Sequence, residues 1–187
     1  DRKRDAVYFG DIPEGTNPGM AAQRMARALK ICVRLFQQTK TGKLLLLSRT
    51  KRAYGLELGD FRNRLVGVLA NIAEEDRQIL RKKIRVMTAH TAKGQEEEAV
   101  VVLDASQTNF PKVHPDNLLY EIFGVTPAEV LAEEQRLFYV AITRPAETLW
   151  ILTEGDTSSL CIKKLMQPAS IDRLVNATPS SVTAEPS

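Results

Sequence analysis

Thr88-Ala89-His90-Thr91-Ala92-Lys93-Gly94-Gln95-Glu96 separates two apolar-rich runs, Ile84 to Met87 and Ala99 to Leu103. Further along comes Glu133-Glu134-Gln135-Arg136-Leu137-Phe138-Tyr139-Val140-Ala141-Ile142-Thr143-Arg144. The first stretch reads as a polar loop between two strands. The second reads as a helix that delivers an arginine at its end. Lys93 beside Gly94 suits a phosphate, because glycine lets the backbone approach closely. Arginine suits a transferring phosphoryl group, because its charge is permanent and its donors form a planar fork. Each half has a plainer explanation. A Lys-Gly pair is also an ordinary turn boundary, and a cation at a helix C-terminus is stabilised by the helix dipole.

Working outward, Asp5 to Phe9 reads as a short strand closed by the turn-rich Gly10 to Gly15. Asn17-Pro18 opens a helix whose apolar positions Ala22, Met25, Leu29, Cys32, Val33 and Phe36 predict its buried face. Leu44 to Leu47 is a continuous apolar run, the mark of a strand buried on both faces, and it ends in Ser48-Arg49-Thr50. A helix is expected over 59–73, with Phe61, Leu65, Val68, Leu69 and Ile72 inward. Ile84–Thr88, Ala99–Asp104 and Thr148–Thr153 are the remaining strands. Thr126-Pro127-Ala128-Glu129 is a capping box, and its helix should stop at Arg144, where Pro145 disfavours helical geometry.

Alternating strands and helices predict an α/β layer fold with a mostly parallel central sheet flanked by helices. One folded domain is expected over 1–155 and an extension over 156–187, with a disordered tail from Asn176. Ligands of open α/β sheets bind beyond the strands' C-terminal ends. That rule gathers Ser48 to Thr50, Thr88 to Glu96 and Arg144 into one expected site.

At 43% hydrophobic and 26% charged residues, the composition is that of a globular domain rather than a membrane or disordered chain. No membrane span or secretory leader is expected, and a cytoplasmic setting is the default. Cys32 and Cys161 provide neither a disulfide framework nor zinc spacing, and no metal site is expected. His114 lacks a ligand pattern, His90 alone reads as a surface or core hydrogen-bonding group, and Glu133 and Glu134 read as solvated helix charges. Arg24, Arg27, Lys30 and Arg34 form a helical stripe, read as a solvated outer face before a phosphate-binding one. A net charge of +3 permits a nucleic-acid partner without requiring one. Thr41-Gly42-Lys43-Leu44 lacks the first glycine and the final hydroxyl of a phosphate-binding loop, and no Asp-Glu pair closes a strand.

Together the two stretches resemble motifs V and VI of the UvrD/Rep family of superfamily 1 DNA helicases. Those motifs usually read Thr-x-His-x-x-Lys-Gly-Leu-Glu and Glu-Glu-x-Arg-Arg-Leu-x-Tyr-Val-x-x-Thr-Arg-Ala. Leu44 to Thr50 is similar to the family's strand ending in Tyr-Arg-Thr, and Phe110-Pro111 matches a frequent Phe-Pro. The resemblance implies that 1–155 is a RecA-like three-layer domain, the C-terminal motor domain of an ATP-dependent 3′-to-5′ DNA helicase. It assigns Arg144 to the ATP γ-phosphate as catalytic arginine finger. It places Glu96, with Gly94, at the nucleotide. Thr88, His90 and Lys93, with Arg49 and Thr50 as weaker candidates, fall on single-stranded DNA. ATP and Mg2+ are the implied cofactors, and the N-terminal RecA-like domain, which would carry the magnesium ligands, is the implied partner. The chain alone is expected to be inactive, as a piece of a longer protein. Gln95, Gln135 and Pro145 depart from the pattern. With the short stretch between Arg49 and Thr88, Lys-Gly-Gln resembles the helicase IV branch. The alternative is a degenerate, non-catalytic RecA-like module that binds nucleic acid or protein.

Overall fold

The computed structural model describes residues 6–12, 18–70, 74–106, 109–111 and 124–154. The extension 156–187, its tail, and His114 lie outside them. The elements are β1 (Ala6–Ile12), α1 (Pro18–Gln38), β2 (Leu44–Ser48), β3 (Arg52–Ala53), β4 (Leu56–Glu57), α2 (Leu58–Leu69), α3 (Glu74–Lys83), β5 (Ile84–Thr88), β6 (Glu97–Val102), α4 (Pro127–Ile142) and β7 (Pro145–Glu154). Five strands form one sheet in the order β1-β7-β6-β2-β5, and every neighbouring pair is parallel. The fold expected from sequence, an α/β domain with helices on both faces of a parallel sheet, is the one observed.

Alternate side chains of the central strands feed two cores. Leu44, Leu46, Ile84, Ala99 and Val101 pack with α1 and α2. Leu45, Leu47, Val100, Val102, Leu149 and Ile151 pack with α4. Each of Leu44 to Leu47 is fully buried, which stabilises the fold by about 1.5–3 kcal/mol per side chain. A strand enclosed on both faces has no polar side, which is why these runs are continuous rather than alternating.

The structure corrects several boundaries and faces. β1 continues through Gly10-Asp11-Ile12, in register with Leu152 to Glu154, where a turn was expected. Among the described side chains of α1, Ala28, Cys32 and Leu35 are buried; Ala22 is exposed, and Val33 and Phe36 are half-buried. On α2, Leu58, Phe61, Leu65 and Val66 are buried, while Val68 is 59% exposed. Both shifts arise because the helix axis, not the apolar count, decides which arc meets the sheet. The expected inward Ile72 lies outside the described residues.

Two elements were not anticipated. One is α3, whose sequence is polar nearly all round. The other is the β3–β4 hairpin, closed by Tyr54-Gly55. Both turn residues have positive φ, 50° and 79°, as a type I′ turn requires; glycine supplies the second without strain. The Tyr54 backbone N–H donates to Asp104 Oδ2 at 3.1 Å, and the Tyr54 hydroxyl accepts from Asp104 N at 3.0 Å. Burial, reinforced by the Asp104 charge, pushes the Tyr54 phenol well above its ordinary range. Arg24 stacks 5.7 Å from the Tyr54 ring centre and reaches Asp104 at 3.4 Å. It therefore leaves the solvated stripe expected of it, while Arg27, Lys30 and Arg34 are exposed. Burial also pushes the Cys32 thiol up to about 12, so it serves as a small apolar core group.

Candidate functional site

The connection from β5 to β6 carries the first diagnostic stretch, and its path is unusual. β5 and β6 are parallel and lie either side of β2, so the chain must return from one edge of the sheet to the other. Such a crossover usually contains a helix of its own. Here residues 89–96 make it alone, as turns strung over the α4 face. Ala92 N donates to Thr88 O at 3.1 Å, and Gln95 N donates to Ala92 O at 3.0 Å. Ala89 and Ala92 are fully buried in the α4-side core, which pins the loop to the sheet. Their neighbours His90, Thr91, Lys93 and Gly94 are consequently exposed. Gly94 has φ +79°, a conformation a side chain would strain although the space beside it is open.

The loop begins at the strands' C-terminal edge. Ala89 N donates to Ser48 O at 2.8 Å, which ties the end of β5 to the end of β2. The Thr88 and Thr91 hydroxyls lie 3.1 Å apart, and Thr88 N donates to Thr91 Oγ1. Thr50 Oγ1 donates to Arg52 O at 2.9 Å, fixing the turn that follows β2. Thr50, Thr88 and His90 thus stand together at this edge.

Arg49, beside them, turns inward. Its Nε donates to Glu134 Oε2 at 2.8 Å and its Nη2 to Glu134 Oε1 at 2.5 Å, a two-pronged ion pair with side-chain exposures of 18% and 8%. Glu134 is therefore a buried partner and not the solvated charge expected from sequence. Glu133 does face solvent, pairing with Arg136. Nothing in the local sequence distinguishes two adjacent glutamates; only the position of α4 over β2 does.

Arg144 lies at the opposite edge, which corrects the single site expected from sequence. α4 starts at the C-terminal edge and runs back against the strands, so its last residues precede the first residue of β7. Pro145 pairs in register with Glu97, and Glu97 N donates to Arg144 O at 3.3 Å. The two diagnostic stretches therefore meet at this end, with Glu96 one residue from the Arg144 backbone. The Arg144 guanidinium is half-buried: Nε donates to Val140 O at 2.8 Å and Nη2 to Thr143 Oγ1 at 3.0 Å. α4 is held by the anticipated capping box, in which Glu129 N donates to Thr126 Oγ1 and Thr126 N donates to Glu129 Oε2. Hydrogen bonds from Thr126 hold the Glu129 carboxyl below its ordinary value. On the outer face of α4, Gln135, Arg136, Tyr139 and Val140 line an open depression, with Tyr139 62% exposed.

Sequence reasoning also missed Arg85. From β5, its Nη2 donates to Gln95 Oε1 at 2.7 Å, and its Nη1 lies 3.5 Å from Glu97 Oε2. Nearby, burial pushes the Glu98 carboxyl up. Hydrogen bonds from the Thr41 hydroxyl and the Thr41 and Lys40 amides outweigh it and leave the group lowered. Among the described residues no cluster of three or more His, Cys, Asp or Glu could hold a metal ion, and no helix is long and apolar enough to cross a membrane.

Comparison with known proteins shows the family. The family model described as the UvrD-like helicase C-terminal domain matches residues 24–155. A "probable DNA helicase" of Mycoplasma pneumoniae is 33% identical over 92 residues, which are 49% of this chain and 16% of that protein. DNA helicase IV of Escherichia coli K12 is 33% identical over 81 residues, 41% of this chain and 12% of that protein. The chain thus spans a small part of these curated relatives. The crystal structure of the C-terminal domain of a possible DNA helicase from Lactobacillus plantarum superimposes with a TM-score of 0.53 at 16% identity. That likeness covers 91% of this chain and 83% of the other and concerns the fold alone.

Proposed function

The chain belongs to the UvrD-like helicase C-terminal domain family, and from that premise we propose that it is the second motor domain of an ATP-dependent 3′-to-5′ DNA helicase. The motor domain would occupy 1–155, with 156–187 as an extension. The observation that carries the reading is the crossover 89–96. It starts with Ala89 bonded to Ser48 O at one edge of the sheet and leads into Glu97, whose amide is bonded to Arg144 O at the other. Single-stranded DNA lies on the first edge, against Thr88, His90, Thr50 and Lys93. Arg49, held by Glu134, contributes by fixing the turn that presents Thr50. Nucleotide lies at the second edge, where Glu96 and Gly94 contact it and Arg144 meets the γ-phosphoryl oxygens. One continuous segment then touches both ligands.

The exposed residues at that edge fit an ATP shared with another domain. Arg144 supplies permanent positive charge where negative charge develops. Magnesium would neutralise the phosphate charge, and its ligands fall to the N-terminal RecA-like half. The depression beside Tyr139, one helical turn before Arg144, suits that half as its docking partner. The Arg144 bonds to Val140 O and Thr143 Oγ1 are those of a resting finger, released when the domains close. The same bonds favour a second reading, in which Arg144 only caps its helix and the domain is a non-catalytic binding module.

Two measurements test the proposal. The 187-residue chain should show no DNA-stimulated ATP hydrolysis, whereas the polypeptide that includes the N-terminal half should; hydrolysis by the purified short chain overturns the division of labour. The short chain should also bind single strands weakly and lose that binding steeply with salt. Lys93→Ala should weaken it further and flatten the slope of log K against log salt by about 0.7, the share of one phosphate contact. Binding indifferent to salt would remove the phosphate contacts from the account.

A further inference from the structure

Glu96 is bracketed by two residues gripped from a single point. Arg85 faces the α4 side of the sheet, as does its register partner Leu45. It reaches Gln95 Oε1 at 2.7 Å and Glu97 Oε2 at 3.5 Å, the residues immediately before and after Glu96. Glu97 is in turn bonded through its amide to Arg144 O. Side-chain exposures of 34% for Arg85 and 12% for Glu97 leave this pair partly shielded from solvent. The crossover has no helix or strand of its own, and these bonds, with the Gln95 N to Ala92 O turn, help hold its tail. Because Gln95 and Glu97 are turned towards Arg85, the residue between them projects outward, and Glu96 is exposed.

We propose that Arg85 is a positioning residue for the nucleotide edge: by holding Gln95 and Glu97 together it fixes Glu96 relative to Arg144. The inference rests on the function proposed above. A guanidinium suits the task because its rigid planar fork presents donors to two acceptors in fixed directions, whereas an ammonium on a flexible stem fixes neither. Arg85 itself touches no nucleotide. Losing it misplaces a ground-state contact, so its effect falls on nucleotide affinity more than on the chemical step.

The test uses the polypeptide with both motor halves at saturating single-stranded DNA, reading KM for ATP and kcat separately. Arg85→Met and Gln95→Leu should each raise KM on the order of tenfold while kcat falls no more than about twofold. The double variant should be no worse than the poorer single one, because both remove one shared interaction. Arg85→Lys should recover part of the lost affinity. Thermal midpoints recorded in parallel identify a variant that merely unfolds, and Gln95→Leu then stands in for Arg85→Met. Wild-type polypeptide without DNA-stimulated hydrolysis would sink the helicase reading and this inference with it. An active wild type whose KM is unmoved in folded Arg85→Met and Gln95→Leu would sink this inference alone.

Discussion

Arg144→Ala, in the polypeptide carrying both motor halves, should lower ATP turnover by about 10³–10⁵-fold, the range that arginine fingers contribute in phosphoryl transfer. The argument starts from α4. The helix is capped at Thr126, packed through Leu137 and Phe138, and stopped before Pro145, so its final arginine has a defined exit point. Its present partners are a main-chain carbonyl and a hydroxyl of its own helix end, both replaceable by water. Folding and nucleotide-free affinity for single strands should therefore be nearly unchanged. Arg144→Lys should recover little, since an ammonium cannot reproduce the planar fork. The check is kcat with a matched binding isotherm; turnover within tenfold of wild type in the alanine variant would reduce Arg144 to a helix-end cation.

The largest effect on stability is expected at Glu134. Removing one partner of a buried ion pair leaves the other charge desolvated and uncompensated, which costs about 3–5 kcal/mol. Glu134→Ala strands Arg49 in that way, and for a domain of this size the melting midpoint should fall on the order of 10 °C. Replacing both residues by apolar ones of similar length, Arg49→Met with Glu134→Leu, should restore most of the loss, because neither charge then needs burying. Chemical denaturation of the three variants decides it. A single-variant loss below about 1 kcal/mol would mean that the pair behaves as an exposed one.

What was legible in the sequence followed from how each element is buried. Leu44 to Leu47 announced a strand because both of its faces are covered, and Thr126 to Glu129 announced a helix start because capping is local chemistry. α3 was illegible for the converse reason: with Leu80 only partly buried against the core, its sequence lacks an apolar stripe to read. The β3–β4 hairpin has strands of two residues, too short for any periodicity.

The site was harder, since its geometry depends on direction and pairing. Each diagnostic stretch was visible, but not that α4 runs back against the strands and leaves Arg144 at the far edge from Thr50. The ion pair between Arg49 and Glu134 joins residues 85 positions apart, and no property of either residue announces the other. Gln95 looked like a simple departure from a usual leucine; its partner Arg85 is ten positions away, in a different strand.

The crossover that joins the two edges is also short in a mechanical sense. Nine Cα-to-Cα steps separate Thr88 from Glu97, a reach of about 32 Å if fully drawn out. The turns through Ala92 consume part of that length, and the path must still run back along β2 and step over it. Little slack is left. The segment has the character of a connecting rod rather than a spring: it passes displacement on instead of absorbing it. A tug at Thr88 from a moving strand must either shift Glu96 and Arg144 or tear Ala89 and Ala92 from the core.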